Sequence, residues 1–254
     1  MINIFIPMMG KGSRFIREGF TVPKYLIDIH NKPLLYYVLY GFRHLFHSSS
    51  FTLIARTDHD SHLIENILNE LLIPSFEIIS LDGDTQGQAS SVYQALEHTR
   101  FEINNLLVFN IDTIHLNLDH KFYENISCHS LEVFKAEGDH WSFAKTNGID
   151  DQVIEVAEKK RISDLCSNGL YYFNSVKSFT QAFKNMYLDL DQSLWPTNET
   201  YVAPLFNHLI KTDQSVTAKN VNSSCIVPCG TPQEYYQLLE RFQSKESLIT
   251  SFNL

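Results

Sequence analysis

The sequence predicts an α/β fold: a mixed, mostly parallel sheet flanked by helices, with a smaller lobe of antiparallel character after it. Three observations carry this reading. Short apolar runs alternate with segments of helical periodicity through the first half of the chain. After about residue 115 the rhythm changes, and four strand-like runs come in near succession. The 254 residues are 44% hydrophobic and 19% charged, which is enough apolar surface for one substantial core.

Residues 3–7 read as a buried strand rich in Ile and Phe. Residues 33–46 read as a helix, because Leu34, Leu35, Val38, Leu39, Phe42 and Leu45 recur at helical spacing. A strand at 51–55 precedes a helix at 62–72, which pairs Leu63/Ile64, Ile67/Leu68 and Leu71/Leu72 on one face. A strand at 76–81, a helix at 88–97 and a strand at 105–110 follow. Strands and helices alternating at these intervals imply crossover units and parallel pairing. The later strands fall at 130–136, 141–146, 152–156 and 169–174. Helices at 176–187 and 199–210, a strand at 223–227 and a last helix after Thr231 complete the chain. No internal repeat or low-complexity linker interrupts it, so residues 1–254 read as one domain with halves meeting near residue 115.

A formal net charge of −9 argues against general affinity for nucleic acid or anionic membranes. Residues 1–32 run against this trend, with Lys11, Arg14, Arg17, Lys24 and Lys32 opposed only by Glu18 and Asp28. That imbalance suits a small polyanion held in one cleft. No run approaches the roughly 18 apolar residues of a membrane helix, and no basic-then-apolar leader is visible. Cysteines 128, 166, 225 and 229 form no disulfide framework, and Cys225 and Cys229 lack further ligands at zinc spacing. A cytoplasmic protein is expected; self-association is left open.

The most informative stretch runs from Ile4 through Pro7, Met8, Gly10, Lys11, Gly12, Ser13 and Arg14 to Phe15, with Pro23-Lys24 beyond it. A strand leads into a glycine-spaced loop, which exposes backbone N–H groups without an intervening Cβ. Lys11, Arg14 and Lys24 add full charges around the same point, so a nucleoside triphosphate is the natural occupant. A P-loop is excluded because Gly10-Lys11 is followed by Gly12 and no glycine lies five positions upstream. A dinucleotide fingerprint needs glycine where Phe15 stands. Asp112 follows the run Leu106-Leu107-Val108-Phe109 directly, at the strand end where open α/β sheets place ligands. One carboxylate together with phosphate oxygens suits Mg²⁺; a loop or capping aspartate fits the local sequence as well.

Gly10-x-Gly12-Ser13-Arg14-Phe15, Pro23-Lys24-Tyr25-Leu26-Ile27-Asp28 and Asn31-Lys32-Pro33-Leu34 together resemble the signature of the sugar-phosphate nucleotidylyltransferases, or nucleoside-diphosphate-sugar pyrophosphorylases. The resemblance spans about residues 2–235. It implies a Rossmann-like sheet of the nucleotide-diphospho-sugar transferase type, with residues 1–115 binding the NTP and 116–254 the acceptor. It implies a triphosphate held by the loop from Pro7 to Arg14, with Lys24 near the reacting phosphates and Asp112 on Mg²⁺. Arg14, Lys24 and Asp112 are thus the catalytic candidates. Thr85 and the Gly87-Gln88-Ala89 element would lie beside base and ribose, where small residues admit a flat ring. In the acceptor half, Lys159 would contact the incoming phosphate and Glu158 a hydroxyl or amine, with Asn168, Gly169 and Glu199 nearby. The reaction implied joins an NTP to a phosphorylated metabolite, first a sugar 1-phosphate, with release of pyrophosphate.

The same signature resembles cytidylyltransferases acting on phosphocholine or a phosphorylated amino acid, so it fixes reaction type better than substrate. One departure stands out. Many members carry a second metal-binding aspartate just before a Gly-Thr-Pro element; here Pro228 precedes Cys229 and Gly230-Thr231-Pro232. That departure keeps a non-catalytic nucleotide sensor among the readings.

Overall fold

The structure is a computed structural model and describes residues 1–195 and 198–252. Its centre is strand β1 (Ile2–Pro7), buried along its whole length. Ile4 and Ile6 project into one apolar layer and Phe5 into the other, as the two-residue period of a strand requires. On one side lies β4 (Ser49–Arg56) and then β5 (Phe76–Leu81); on the other lies β6 (Leu106–Phe109). All three pairings are parallel. Short strands β2 (Asp28–Ile29) and β3 (Lys32–Pro33) pair with each other outside this sheet.

Helices α1 (Ser13–Arg17), α2 (Leu34–Tyr40), α3 (Ser61–Glu70) and α4 (Gln88–Ala95) lie in the connections. The helix expected over 33–46 stops at Tyr40, and Arg43–Leu45 continues as a 3₁₀ turn. At Gly41 a Cβ would stand 2.7 Å from the His115 carbonyl, so only glycine lets the chain pass this close.

Beyond β6 the chain forms β7 (Thr113–His115), α5 (His120–Asn125), β8 (His129–Lys135), β9 (Ser142–Thr146), β10 (Val153–Glu158) and β11 (Leu165–Phe173). The expected antiparallel strands are present and join the parallel ones edge to edge. β11 pairs antiparallel with β6, and the path runs β10-β9-β11-β6-β1-β4-β5. β11 also pairs with β8, with a register shift between Ser167 and Tyr171. Such bulges re-aim side chains.

Helix α6 (Val176–Phe183), a π turn (Lys184–Leu188) and α7 (Leu205–Lys211) follow, then β12 (Val216–Asn220), β13 (Ile226–Pro228), α8 (Pro232–Arg241) and α9 (Lys245–Ser251). β12 pairs parallel with β8, and β13 lies antiparallel to β7. The helix expected from 199 begins only at Leu205, because Thr200 is bonded elsewhere. Its N–H donates to Gln86 O at 2.8 Å, and its carbonyl accepts from Ala89 N at 2.9 Å. Two apolar layers sandwich the sheet: Leu34, Val38, Ile64 and Leu238 pack in one, Val92, Phe179 and Phe206 in the other.

Candidate active site

The loop after β1 is exposed at Gly10 and Lys11. Gly12 takes the left-handed conformation (φ 63°) that opens α1, and its carbonyl accepts from Phe15 N at 2.9 Å. The Cβ of Lys24 passes 3.6 Å from where a Gly12 Cβ would be, so loop and lysine pack directly together. Pro23 sets the extended entry (φ −53°, ψ 144°) from which Lys24 turns into a 3₁₀ turn. The Lys24 ammonium then reaches Asp112 Oδ2 at 3.1 Å, across a separation of 88 residues.

A cavity of about 620 Å³ opens over this loop. Of the positions expected at the nucleotide, Pro7, Met8, Gly10, Lys11, Gly12, Ser13, Thr85, Gly87 and Gln88 line it, as do Arg14, Lys24 and Asp112. Ala89 does not. It is fully buried, and its N–H is taken by Thr200. Gly87 lines the cavity and has a further reason to be small. At φ 141° its missing Cβ would lie 2.7 Å from both Thr200 N and Thr200 O, so the glycine makes room for the 198–201 segment.

A second cavity, about 220 Å³, adjoins the first. Glu158, Lys159, Asn168 and Gly169 line it, whereas Glu199 stands on the wall of the larger cavity. Six residues border both: Arg14, Gln88, Asp112, Lys159, Tyr201 and Gly230. Lys159 has an uncommon positive φ of 54°, fixed where its N–H donates to Trp141 O at 2.9 Å. Its ammonium lies 4.5 Å from the centre of the Tyr201 ring and donates to the Tyr201 hydroxyl. Burial alone lowers the Lys159 ammonium, but that hydrogen bond and the carboxylates of Glu158 and Glu199 outweigh it and raise it. Burial raises the Glu158 carboxyl above its ordinary value, against the opposing hydrogen bond from Ser142 and the charge of Lys159.

Beneath this cavity lies a polar cluster that the sequence did not announce. Glu132, on β8, is fully buried and accepts from His115 Nε2 at 2.8 Å and from Asn168 Nδ2 at 2.7 Å. Burial pushes its carboxyl up, yet the His115 charge and the hydrogen bonds prevail and hold it below the ordinary value. The Tyr123 phenol stands beside it, short of strict hydrogen-bond geometry. Asn168 Oδ1 accepts from Leu170 N at 3.0 Å, so both ends of this amide are fixed.

For a metal ion the donor set is sparse. Among the described residues, no group of three or more His, Cys, Asp or Glu side chains is disposed to hold one. Among the described residues nothing bonds Asp112 Oδ1, while Oδ2 meets Lys24. Strand β13 lays Pro228 opposite Thr113, and Cys229 N donates to Asp112 O at 2.7 Å. Proline therefore sits beside Asp112 and offers no second carboxylate there. Glu234 is near, but its Oε2 accepts from Gly230 N at 2.8 Å and Thr231 N at 2.9 Å as part of a capping box. One carboxylate plus phosphate oxygens and water is a set that Mg²⁺ accepts.

Sequence reasoning did not single out Ser142, Trp141 or Glu234, all on the smaller cavity. Thr231-x-x-Glu234 carries a readable capping signature; the others follow from strand pairing and leave no local signal. No described helix is long and apolar enough to cross a membrane.

No protein-family model and no curated protein matches the chain. Solved structures do. The nucleoside-diphosphate-sugar pyrophosphorylase from Vibrio cholerae RC9 is 35% identical, with a TM-score of 0.86, over 93% of this chain and 99% of that one. The chain belongs to the nucleoside-diphosphate-sugar pyrophosphorylase family. As a member it is a nucleotidyltransferase enzyme. More distant neighbours agree in fold: the inositol-1-phosphate CTP transferase from T. maritima has 14% identity and a TM-score of 0.72 over 98% of this chain and 95% of that one. The UDP-glucose pyrophosphorylase from Acinetobacter baumanii has 15% identity and a TM-score of 0.71 over 100% and 98%. The family's mixed α/β sheet is thus the one described above.

Proposed function

We propose that this nucleotidyltransferase joins a nucleoside triphosphate to a sugar 1-phosphate and releases pyrophosphate. The observation that supports it best is the seam between the two cavities, where Arg14, Asp112 and Lys159 face both. Two phosphates brought together there meet two cations and one carboxylate. A phosphate oxygen of the acceptor attacks the α-phosphorus; the bond to the bridging oxygen breaks, and pyrophosphate leaves with its electron pair. Acceptor phosphates are ionised near neutrality, so alignment and charge neutralisation carry the catalysis and no strong base is required.

In this reading Arg14 orients the triphosphate and Lys24 neutralises charge on the leaving pyrophosphate. Lys159 draws in the acceptor phosphate, and Glu158 receives a donor on the sugar body. Asp112 would hold Mg²⁺ by its free oxygen, and the ion would neutralise phosphate charge there. Residues before about 115 supply most of the donor site, with Glu199, Tyr201 and Gly230 returning to it from the second half. The test is pyrophosphate release from each NTP with a panel of hexose 1-phosphates, with and without Mg²⁺. Calorimetry of Mg²⁺ with and without nucleotide, on wild type and Asp112→Asn, accompanies it. The reading expects turnover with a sugar 1-phosphate and metal binding that needs both nucleotide and Asp112. Nucleotide binding without turnover or metal dependence would replace it with a sensor.

A further inference from the structure

Asn110, half-buried, directly follows the buried strand β6, two residues before Asp112, and lines the smaller cavity. Its backbone is tied down, with N–H donating to Gly169 O at 3.1 Å. Its side chain is not. The amide makes no hydrogen bond to any described residue, and Oδ1 is shielded from solvent. Neighbouring polar groups differ: Asn168 is held at both ends, Ser142 donates to Glu158, and Glu234 is bound to the backbone.

The fold also makes space for this amide. Gly169 has a φ of 87°, and a Cβ there would lie 2.4 Å from Asn110 Nδ2 and 2.6 Å from its Cγ. The bulge between Ser167 and Tyr171 is thus shaped around the Asn110 side chain. An amide with no partner and only its Oδ1 end shielded is costly in an isolated protein and becomes a recognition element when a ligand supplies a missing bond at the end that stays open to the cavity.

We propose that Asn110 recognises the acceptor, its amide pairing with a hydroxyl on the body of the phosphorylated substrate; this deepens the sugar 1-phosphate reading and rests on it. A hydroxyl both donates and accepts, so it satisfies the amide whichever way the O and N ends face. A quaternary ammonium has neither an N–H nor a lone pair and leaves the amide orphaned. Asn110 therefore selects polyhydroxylated phosphates against phosphocholine.

The experiment compares wild type, Asn110→Ala and the milder Asn110→Ser. Acceptors are hexose 1-phosphates, their monodeoxy analogues and phosphocholine; NTP affinity and thermal unfolding are measured alongside. The expected result is a loss of about tenfold in kcat/KM for the accepted sugar phosphate, with NTP affinity within about twofold of wild type. One monodeoxy analogue should show a similar loss with wild type and no further loss with Asn110→Ala, which identifies the paired hydroxyl. Wild-type turnover of a sugar phosphate with both variants unimpaired overturns the Asn110 assignment alone. So does a loss shared equally between NTP and acceptor. Turnover of phosphocholine, or of no member of the panel, overturns the sugar reading and the Asn110 assignment together.

Discussion

Replacing Glu132 by Ala tests how the buried cluster supports the acceptor cavity. Glu132, His115 and Asn168 are each 1% exposed or less, so losing the carboxylate leaves its donors facing a buried gap rather than bulk solvent. Because the carboxyl is held ionised, it is an acceptor only, and His115 Nε2 and Asn168 Nδ2 must be its donors. Removing it orphans both, at about 1–3 kcal/mol each. The same range is bounded above by the roughly 3–5 kcal/mol for breaking a buried ion pair by removing one partner. A destabilisation of about 2–5 kcal/mol follows, and at about 2–4 °C per kcal/mol for a chain of this size Tm should fall by about 4–20 °C. The effect carries a pH signature. A depressed carboxyl contributes stability that is present above its unfolded pKa and lost as pH falls through its folded value. The wild type should therefore lose on acidification a contribution that Glu132→Ala never had, and the two Tm profiles should converge there. Function supplies a second readout, since Asn168 loses one of its two anchors: KM for the acceptor should rise while NTP affinity holds. Thermal unfolding across pH with steady-state kinetics decides it. A fall in Tm below about 2 °C together with an unchanged acceptor KM would refute the reasoning.

Lys24→Ala should lower kcat by about 10²–10³, as loss of a preorganised charge at a reacting centre does, with a smaller change in NTP affinity; unchanged kcat with only a raised KM would remove Lys24 from the chemistry. Gly87→Ala places a Cβ 2.7 Å from the Thr200 backbone at a φ of 141°, so stability should drop by about 1–3 kcal/mol and KM for the NTP should rise; an unchanged Tm would show that the 198–201 segment moves aside freely. Glu158→Gln should raise Tm at neutral pH and lower acceptor turnover. A raised carboxyl contributes stability below its unfolded pKa and loses it as pH rises through the folded value, so the neutral glutamine should flatten that part of the wild-type Tm profile; superimposable profiles would contradict it.

The clustering of Gly10, Gly12, Arg14 and Lys24 around the larger cavity was legible because they are nearly contiguous. They occur within fifteen residues, and glycines flanked by cations have few other uses. Asp112 was legible from the strand before it. What stayed hidden depends on contacts between distant segments. Glu132 and His115 look like ordinary residues of two strands until β8 and β7 come together. Thr200 reads as the start of a helix, yet it serves as a partner for the loop at Gly87, and nothing local marks the exchange. β12 escaped because Val216-Thr-Ala-Lys-Asn220 is short and half polar, and its parallel pairing with β8 supplies what its own sequence lacks. Ala89 was misplaced for a related reason: its neighbours reach the cavity, but its own N–H belongs to Thr200.

The cations of the site are arranged for exchange. Lys11 rests on Asp84 at 2.5 Å, Lys24 on Asp112 and Lys159 on the Tyr201 hydroxyl. Arg14 alone among these four meets no partner among the described residues, and it borders both cavities. The Lys11–Asp84 pair is largely exposed, so it is weak and screened by salt, and a triphosphate can displace it readily. Lys24 is the more enclosed, with its side chain 14% exposed, and its partner is the carboxylate proposed for the metal. A chain of net charge −9 can thus keep a cationic cleft folded without substrate, because each lysine has a neighbour's oxygen, which in the proposed reaction it would yield to phosphate. The order of enclosure, from Lys11 at the mouth to Lys24 within, matches what the proposed reaction demands. In that proposal the outer charge would draw the nucleotide in, and the inner one would stay aimed at the bond that breaks.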